Sequence, residues 1–190
     1  MEEAIELIQR AYAEVCEEGF KVKQPLVGVM IEVPAAVFQA RELARRVDFL
    51  AVGSNDLTQY MLAVDRNNPQ VADLYKEIHP AVMLALRQVA KAGHAENKPV
   101  GICGEFAGTA TGAILLIAMG FDVLSMNAIN LPRIKWVIRN ISLRQARRML
   151  SRVLTMADAE EIQLFMRDQL IQAGLSRVVP QHVSLSDESF

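Results

Sequence analysis

Apolar residues run without alternation through Leu26-Val27-Gly28-Val29-Met30-Ile31, Phe49-Leu50-Ala51-Val52 and Pro99-Val100-Gly101-Ile102, and each run breaks off into polar or reactive side chains. Continuous runs of this length are the pattern of strands buried on both faces. Phe121 to Met126 supplies a fourth. Between them the spacing changes to the helical period. Pro34 opens a helix over 35–47, Pro80 one that runs to Glu96 along Val82, Leu86 and Val89, and helices follow over 110–119 and 132–139. Consecutive strand and helix units of this kind predict a parallel sheet.

Helices flank these units. Ile5, Ile8, Tyr12 and Val15 recur at helical spacing, with Gly19 where a stop is expected. Downstream, Ser142 and Gln145 have capping-box spacing ahead of Leu143, Ala146, Leu150 and Val153; Asp158 and Glu161 repeat it ahead of Ile162, Phe165, Met166 and Leu170, with Gly174 as the stop. From Leu175 to Phe190 the period is lost and Ser, Pro, His and Asp collect, which predicts a mobile tail. The expected organisation is one α/β domain over 1–174 and a tail over 175–190.

Composition narrows the function classes. A chain of 190 residues with net charge -2 buries one ordinary core and has no global field to draw it to nucleic acid or an anionic membrane. Cys16 and Cys103 show no spacing that suggests a disulfide framework or a zinc site, so a reducing cytoplasm is expected. The acidic start at Glu2 and Glu3 opens directly into a helix, and the apolar runs are too short to cross a bilayer; neither secretion nor membrane insertion is expected.

In a parallel barrel the working residues sit at the carboxyl ends of the strands, where Glu32, Asn55, Asp56 and Cys103 fall. Glu32 and Asp56, with no His or Cys beside them, suit a hard divalent ion such as magnesium. The same two residues read equally well as caps of the helices that follow. Arg66, ten residues after Asp56, has the planar fork that grips a phosphate, although pairing with Asp65 or solvent is the plainer reading of its spacing. Cys103 lies beside Gly104, and a thiol with an ordinary pKa of about 8.5 is a neutral acid at pH 7, suited to donating a proton. Frequency favours a small buried hydrophobe instead. His79, His94 and His182 carry no assigned chemistry, and Arg144, Arg147, Arg148 and Arg152 read first as a solvated helical face.

Gly28-Val29-Met30-Ile31-Glu32-Val33-Pro34, the Gly53-to-Tyr60 cluster, Asp65-Arg66-Asn67 and Gly101-Ile102-Cys103-Gly104-Glu105, in this order, resemble the phosphoenolpyruvate-utilising enzymes. Ala63-Val64 ahead of Asp65, and Ser125-Met126-Asn127-Ala128 with Leu131-Pro132-Arg133-Ile134-Lys135, resemble enzyme I of the phosphotransferase system, nearest its nitrogen-related form. The resemblance implies magnesium ligands at Glu32 and Asp56, phosphoryl contacts at Asn55 and Arg66, and an enolate-protonating acid at Cys103. It implies phosphoryl transfer from phosphoenolpyruvate to a histidine and on to a histidine phosphocarrier protein, with release of pyruvate. That histidine, and further substrate-gripping arginines, belong in the family to regions this chain does not contain. Ser54 stands where the family often has Thr, and Thr109 where it often has Asp.

The expected fold is therefore the C-terminal half of a TIM (β/α)8 barrel, four parallel strand-helix units plus two C-terminal helices, taken from a longer protein. A half barrel leaves sheet edges and an inner face open, so a homodimer is expected. The alternatives are a catalytically silent dimerisation module, a fragment of pyruvate phosphate dikinase or phosphoenolpyruvate synthase, and a magnesium-dependent aldolase acting on pyruvate enolate.

Overall fold

The computed structural model describes residues 1–178, in which β1 (Gly28–Ile31), β2 (Phe49–Gly53), β3 (Val100–Cys103) and β4 (Val123–Ser125) form one parallel sheet in chain order. The helices are α1 (Glu2–Glu17), α2 (Pro34–Phe38), α3 (Ala40–Ala44), α4 (Ser54–Leu62), α5 (Pro80–Ala95), α6 (Ala110–Met119), α7 (Leu131–Arg139), α8 (Leu143–Val153) and α9 (Ala159–Gln172). Strands in sequence order, separated by helical crossovers, make an open sector of a (β/α)8 barrel.

Register divides the sheet into two faces. Ile31, Val52, Ile102 and Leu124 form one row across all four strands, and the first three are 0%, 0% and 2% exposed beneath the helices. The neighbouring row, Met30, Ala51, Gly101 and Val123, lies on the opposite face, where Met30 is 48% and Val123 57% exposed. The expectation of strands buried on both faces is thus corrected: among the described residues only the helix side is covered. An unclosed barrel has no facing strands to fill its interior. The expected open inner face is what the structure has.

The lower rim is fixed by a repeated clamp. Asp48 donates its amide to the Val27 carbonyl at 2.7 Å while its Oδ2 accepts from the Val27 amide at 2.8 Å. Asp122 does the same with Val100, at 2.9 Å and 2.8 Å. The His94 ring nitrogen Nε2 lies 3.0 Å from that Asp122 oxygen. Burial works against the Asp122 carboxylate, but the Val100 amide and the His94 ring outweigh it and hold its pKa below the usual value. A depressed carboxylate contributes stability above its unfolded pKa of about 3.9 and loses it as pH falls through the folded one. Asp122→Ala is expected to cost about 1–3 kcal/mol at pH 7, because the buried Val100 amide loses its acceptor. In urea titrations the gap between wild type and variant should narrow below about pH 3.9.

Local sequence sets the helix limits. His79 Nδ1 accepts from the Ala81 amide at 3.2 Å, so this histidine caps α5 ahead of Pro80. Thr109 Oγ1 accepts from Gly112 at 2.9 Å to start α6, and Gly120, at φ 97°, ends it. α6 is apolar nearly all round and is enclosed by α5, α7, α8 and α9. The Ser142 and Gln145 capping box forms as expected.

Several boundaries differ from expectation. The helix expected over 35–47 is two helices, because Gln39 leaves helical geometry at φ -97°, ψ 4°. Asp158 caps Glu160 at 2.6 Å, but Glu161 does not complete a box. Of the tail expected from residue 175, Leu175 is buried and Ser176–Val178 form a short 3-10 turn, while 179–190 lie outside the described residues. α1 buries no residue and leaves Leu7, Ile8 and Val15 exposed.

Candidate functional site

Side-chain alternation carries the inner face of the sheet upward to its carboxyl ends. Glu32, two residues beyond Met30, and Cys103, two beyond Gly101, continue that face. Ser125, paired with Cys103 on the neighbouring strand, extends it to β4. β2 ends in Gly53, and the polar cluster beyond it forms the first turns of α4, with Asn55 and Asp56 in the first turn.

Two glycines let these groups meet. A Cβ at Gly53 would lie 2.5 Å from Glu32 Oε1, so the Glu32 carboxylate occupies space that only glycine leaves open. Gly104, at φ +133°, brings the end of β3 so close to α4 that a Cβ would overlap Ser54 Oγ and lie 3.0 Å from Asn55 Oδ1. Asn55 Oδ1 accepts from the Glu105 amide at 3.4 Å and, more weakly, from Ser54 Oγ at 3.5 Å. The Asn55 Nδ2 group is thereby left to donate elsewhere.

The connection after α4 folds back over the rim. Ala63 adopts the left-handed conformation that ends the helix, and the Arg66 amide donates to Gln59 Oε1 at 3.2 Å. Arg66 Nη2 then lies 3.9 Å from Asp56 Oδ1. Asp65 accepts from the Asn67 amide at 2.9 Å, closing its own turn, and is not the partner of Arg66 that spacing favoured. Tyr75, from the same connection, donates its hydroxyl to the Asn55 carbonyl at 3.2 Å. Burial and then the Glu77 charge raise the Tyr75 pKa, opposed by Thr58 and Arg66. The Thr58 hydroxyl oxygen is buried with no hydrogen-bond partner among the described residues.

The strand-end residues Asn55, Cys103, Gly104 and Glu105, with Ser125, Met126, Asn127 and Asn130, line a cavity of about 260 Å³. Ser125, Asn127, Asn130 and Tyr75 were not among the candidates from spacing. The signal for Ser125 was its position two residues past Val123; Tyr75 had none.

The profile of a family described as "PEP-utilising enzyme, PEP-binding domain" matches residues 1–143. The chain belongs to the PEP-utilising enzymes. It is 43% identical over 171 residues to a phosphoenolpyruvate-protein phosphotransferase of Haemophilus influenzae, covering 90% of this chain and 30% of that protein. It is 42% identical over 163 residues to a protein of Escherichia coli K12 named phosphoenolpyruvate-dependent phosphotransferase system, covering 85% of this chain and 22% of that one. The chain thus spans less than a third of the length of these relatives. A crystal structure of a citrate lyase from Burkholderia xenovorans shares the fold, with TM-score 0.51 and 16% identity over 94% of this chain and 62% of that one. The family resemblance carried by the strand-end motifs is borne out.

In this family member the electrostatics centre on Cys103. Burial, and then the charges of Glu32 and Asp56, push its thiol above the ordinary value, against an opposing backbone hydrogen bond. Its Sγ lies 3.5 Å from the Val52 carbonyl. A raised thiol stays protonated near neutrality, which suits an acid and not a nucleophile. Among the described residues no three His, Cys, Asp or Glu side chains gather into a self-sufficient metal cage. The donor set at the strand ends is two carboxylates, of which Glu32 makes no ion pair among the described residues and Asp56 pairs only loosely with Arg66. Such a set fits magnesium, which keeps waters and takes substrate oxygens.

Proposed function

We propose that this chain carries the phosphoenolpyruvate site of a phosphotransferase whose intact form moves the phosphoryl group to one of its own histidines and then to a histidine phosphocarrier protein. The observation that supports this reading most is the meeting of Glu32, Asn55, Asp56, Arg66 and Cys103 at the strand ends of a PEP-binding family domain.

Glu32 and Asp56 would hold magnesium, which supplies positive charge to the phosphoryl oxygens. Arg66 donates from its guanidinium to the same group, and the free Asn55 Nδ2 donates beside it. The bond between phosphorus and the enol oxygen breaks as the bond from phosphorus to the histidine nitrogen forms. The enolate electron pair then takes the Cys103 proton at carbon, giving pyruvate and leaving a thiolate that water reprotonates. The raised pKa keeps that proton in place beforehand. A cytoplasmic location belongs to the same proposal, supported by the free Cys16 and Cys103, while the open inner row of the sheet supports self-association of this chain by itself.

Tyr75 holds the connection that carries Arg66. Tyr75→Phe is expected to weaken phosphoenolpyruvate binding several-fold, near the value of one hydrogen bond, with a thermal midpoint about 2–4 °C lower. A titration and a melt on the same sample check this.

Phosphorus NMR of phosphoenolpyruvate tests the proposal as a whole. The chain should shift or broaden the signal only with magnesium present, and Arg66→Gln and Asn55→Ala should remove the effect. An unperturbed signal at millimolar chain would overturn the reading.

A further inference from the structure

Among the described residues the ion pairs involve Arg10, Arg41, Arg45, Arg46, Arg66 and His94, and none involves Arg144, Arg147, Arg148 or Arg152. Here α8 and α9 enclose a cleft of about 410 Å³ with Arg148 and Arg152 on one wall, Met149 and Phe165 as the apolar surface, and Gln145, Gln169 and Gln172 around them. It shares no lining residue with the strand-end cavity.

The hydrogen bonds already made determine what the cleft still offers. Gln145 Oε1 accepts from the Ser142 amide at 3.0 Å and its hydroxyl at 2.6 Å, which leaves the side-chain nitrogen Nε2 of Gln145 open among the described residues. Gln169 Nε2 donates to Gln172 Oε1 at 3.2 Å, which leaves Gln169 Oε1 as an acceptor and Gln172 Nε2 as a donor. Two amide donors and one acceptor around a half-buried aromatic ring suit the edge and face of a planar heterocycle. Arg148 and Arg152 stand one helical turn apart, the spacing of side chains that share a partner. Their forks suit phosphate oxygens, and among the described residues no carboxylate lines the cleft to repel them. The volume is that of a small-ligand site.

We propose that the α8–α9 cleft binds a nucleoside phosphate, with the base against Phe165 and Met149 and the phosphate on Arg148 and Arg152. The neighbouring hollow, lined by Arg144, Arg147 and Ser151, extends the positive field toward a longer phosphate chain. The site packs against α6 behind the sheet, so its occupant acts on the strand-end chemistry only through the core.

The test is an NMR titration of the full 190-residue chain with AMP and ADP, against adenosine and inorganic phosphate as partial ligands. Saturable shifts are expected at Met149, Ala173 and the three glutamine side-chain amides, larger for ADP than AMP and weak for either partial ligand. Arg148→Gln with Arg152→Gln should weaken nucleotide binding roughly tenfold or more, the order of a charge-assisted hydrogen bond. Arg152→Gln alone should give an intermediate loss, and both arginines are exposed, so melts should be unchanged. Nucleotides that shift these signals no more than phosphate at equal concentration, or that bind the double variant as well as wild type, would overturn the proposal.

Discussion

Gly112→Ala should lower the thermal midpoint, by roughly 2–12 °C for an overpacking cost of about 1–3 kcal/mol. Helix propensity alone predicts the opposite, a gain of up to about 1 kcal/mol for alanine over glycine inside a helix. The two effects differ in sign, so the midpoint decides between them. Contact wins because an added Cβ would overlap the Phe106 carbonyl oxygen and lie 2.8 Å from both the Phe106 carbonyl carbon and Thr109 Oγ1. Those atoms are backbone and a cap in use: the Phe106 oxygen accepts from Thr109 Oγ1 at 2.9 Å, and Thr109 Oγ1 accepts from Gly112. Neither moves without opening the start of α6. The same displacement reaches the Glu105 amide that holds Asn55, so phosphoenolpyruvate binding should weaken with stability. A rise in midpoint would mean that the Phe106 turn yields freely.

Neutralising Glu32 should make Cys103 more reactive. The Glu32 charge is the largest charge effect raising the thiol pKa, with Asp56 behind it. In a Cys16→Ser background, Glu32→Gln should speed iodoacetamide alkylation of Cys103 several-fold at a fixed pH below that pKa, and Asp56→Asn should do so less. Each unit of pKa lowering is a tenfold gain in thiolate at such pH, offset in part by a weaker nucleophile. Magnesium added to the wild type should act in the same direction, by neutralising the same two carboxylates. An unchanged rate in Glu32→Gln would mean that burial alone sets the Cys103 proton and that the carboxylate lies too far away to matter.

The strand ends were readable because each apolar run breaks off into polar or reactive side chains. Glu32 follows Ile31 directly, and Cys103 is the last residue of β3, so alternation alone assigns both to the inner face. Asn55 and Asp56 were visible as a polar cluster, but not as the first turn of α4. Arg66 needed a return of the chain that only the left-handed Ala63 and the Gln59 contact bring about. Tyr75 was unreadable for the same reason: it reaches Asn55 across twenty residues of turn-rich sequence without a period. Phe121 to Met126 read as one strand, and the Asp122 clamp to Val100 delays β4 to Val123. The predicted burial on both faces failed because a continuous apolar run reports an environment that closes only around a complete barrel.

In the proposed function the ends of β1, β2 and β3 build a magnesium-dependent phosphoenolpyruvate site within this chain. Calorimetric titration of phosphoenolpyruvate into the purified chain, with and without magnesium and beside Asp56→Ala, tests it most directly. The proposed site gives heat that requires magnesium and vanishes in the variant. Heat that is the same without magnesium or in Asp56→Ala, or no heat from the wild type at millimolar phosphoenolpyruvate, would contradict it.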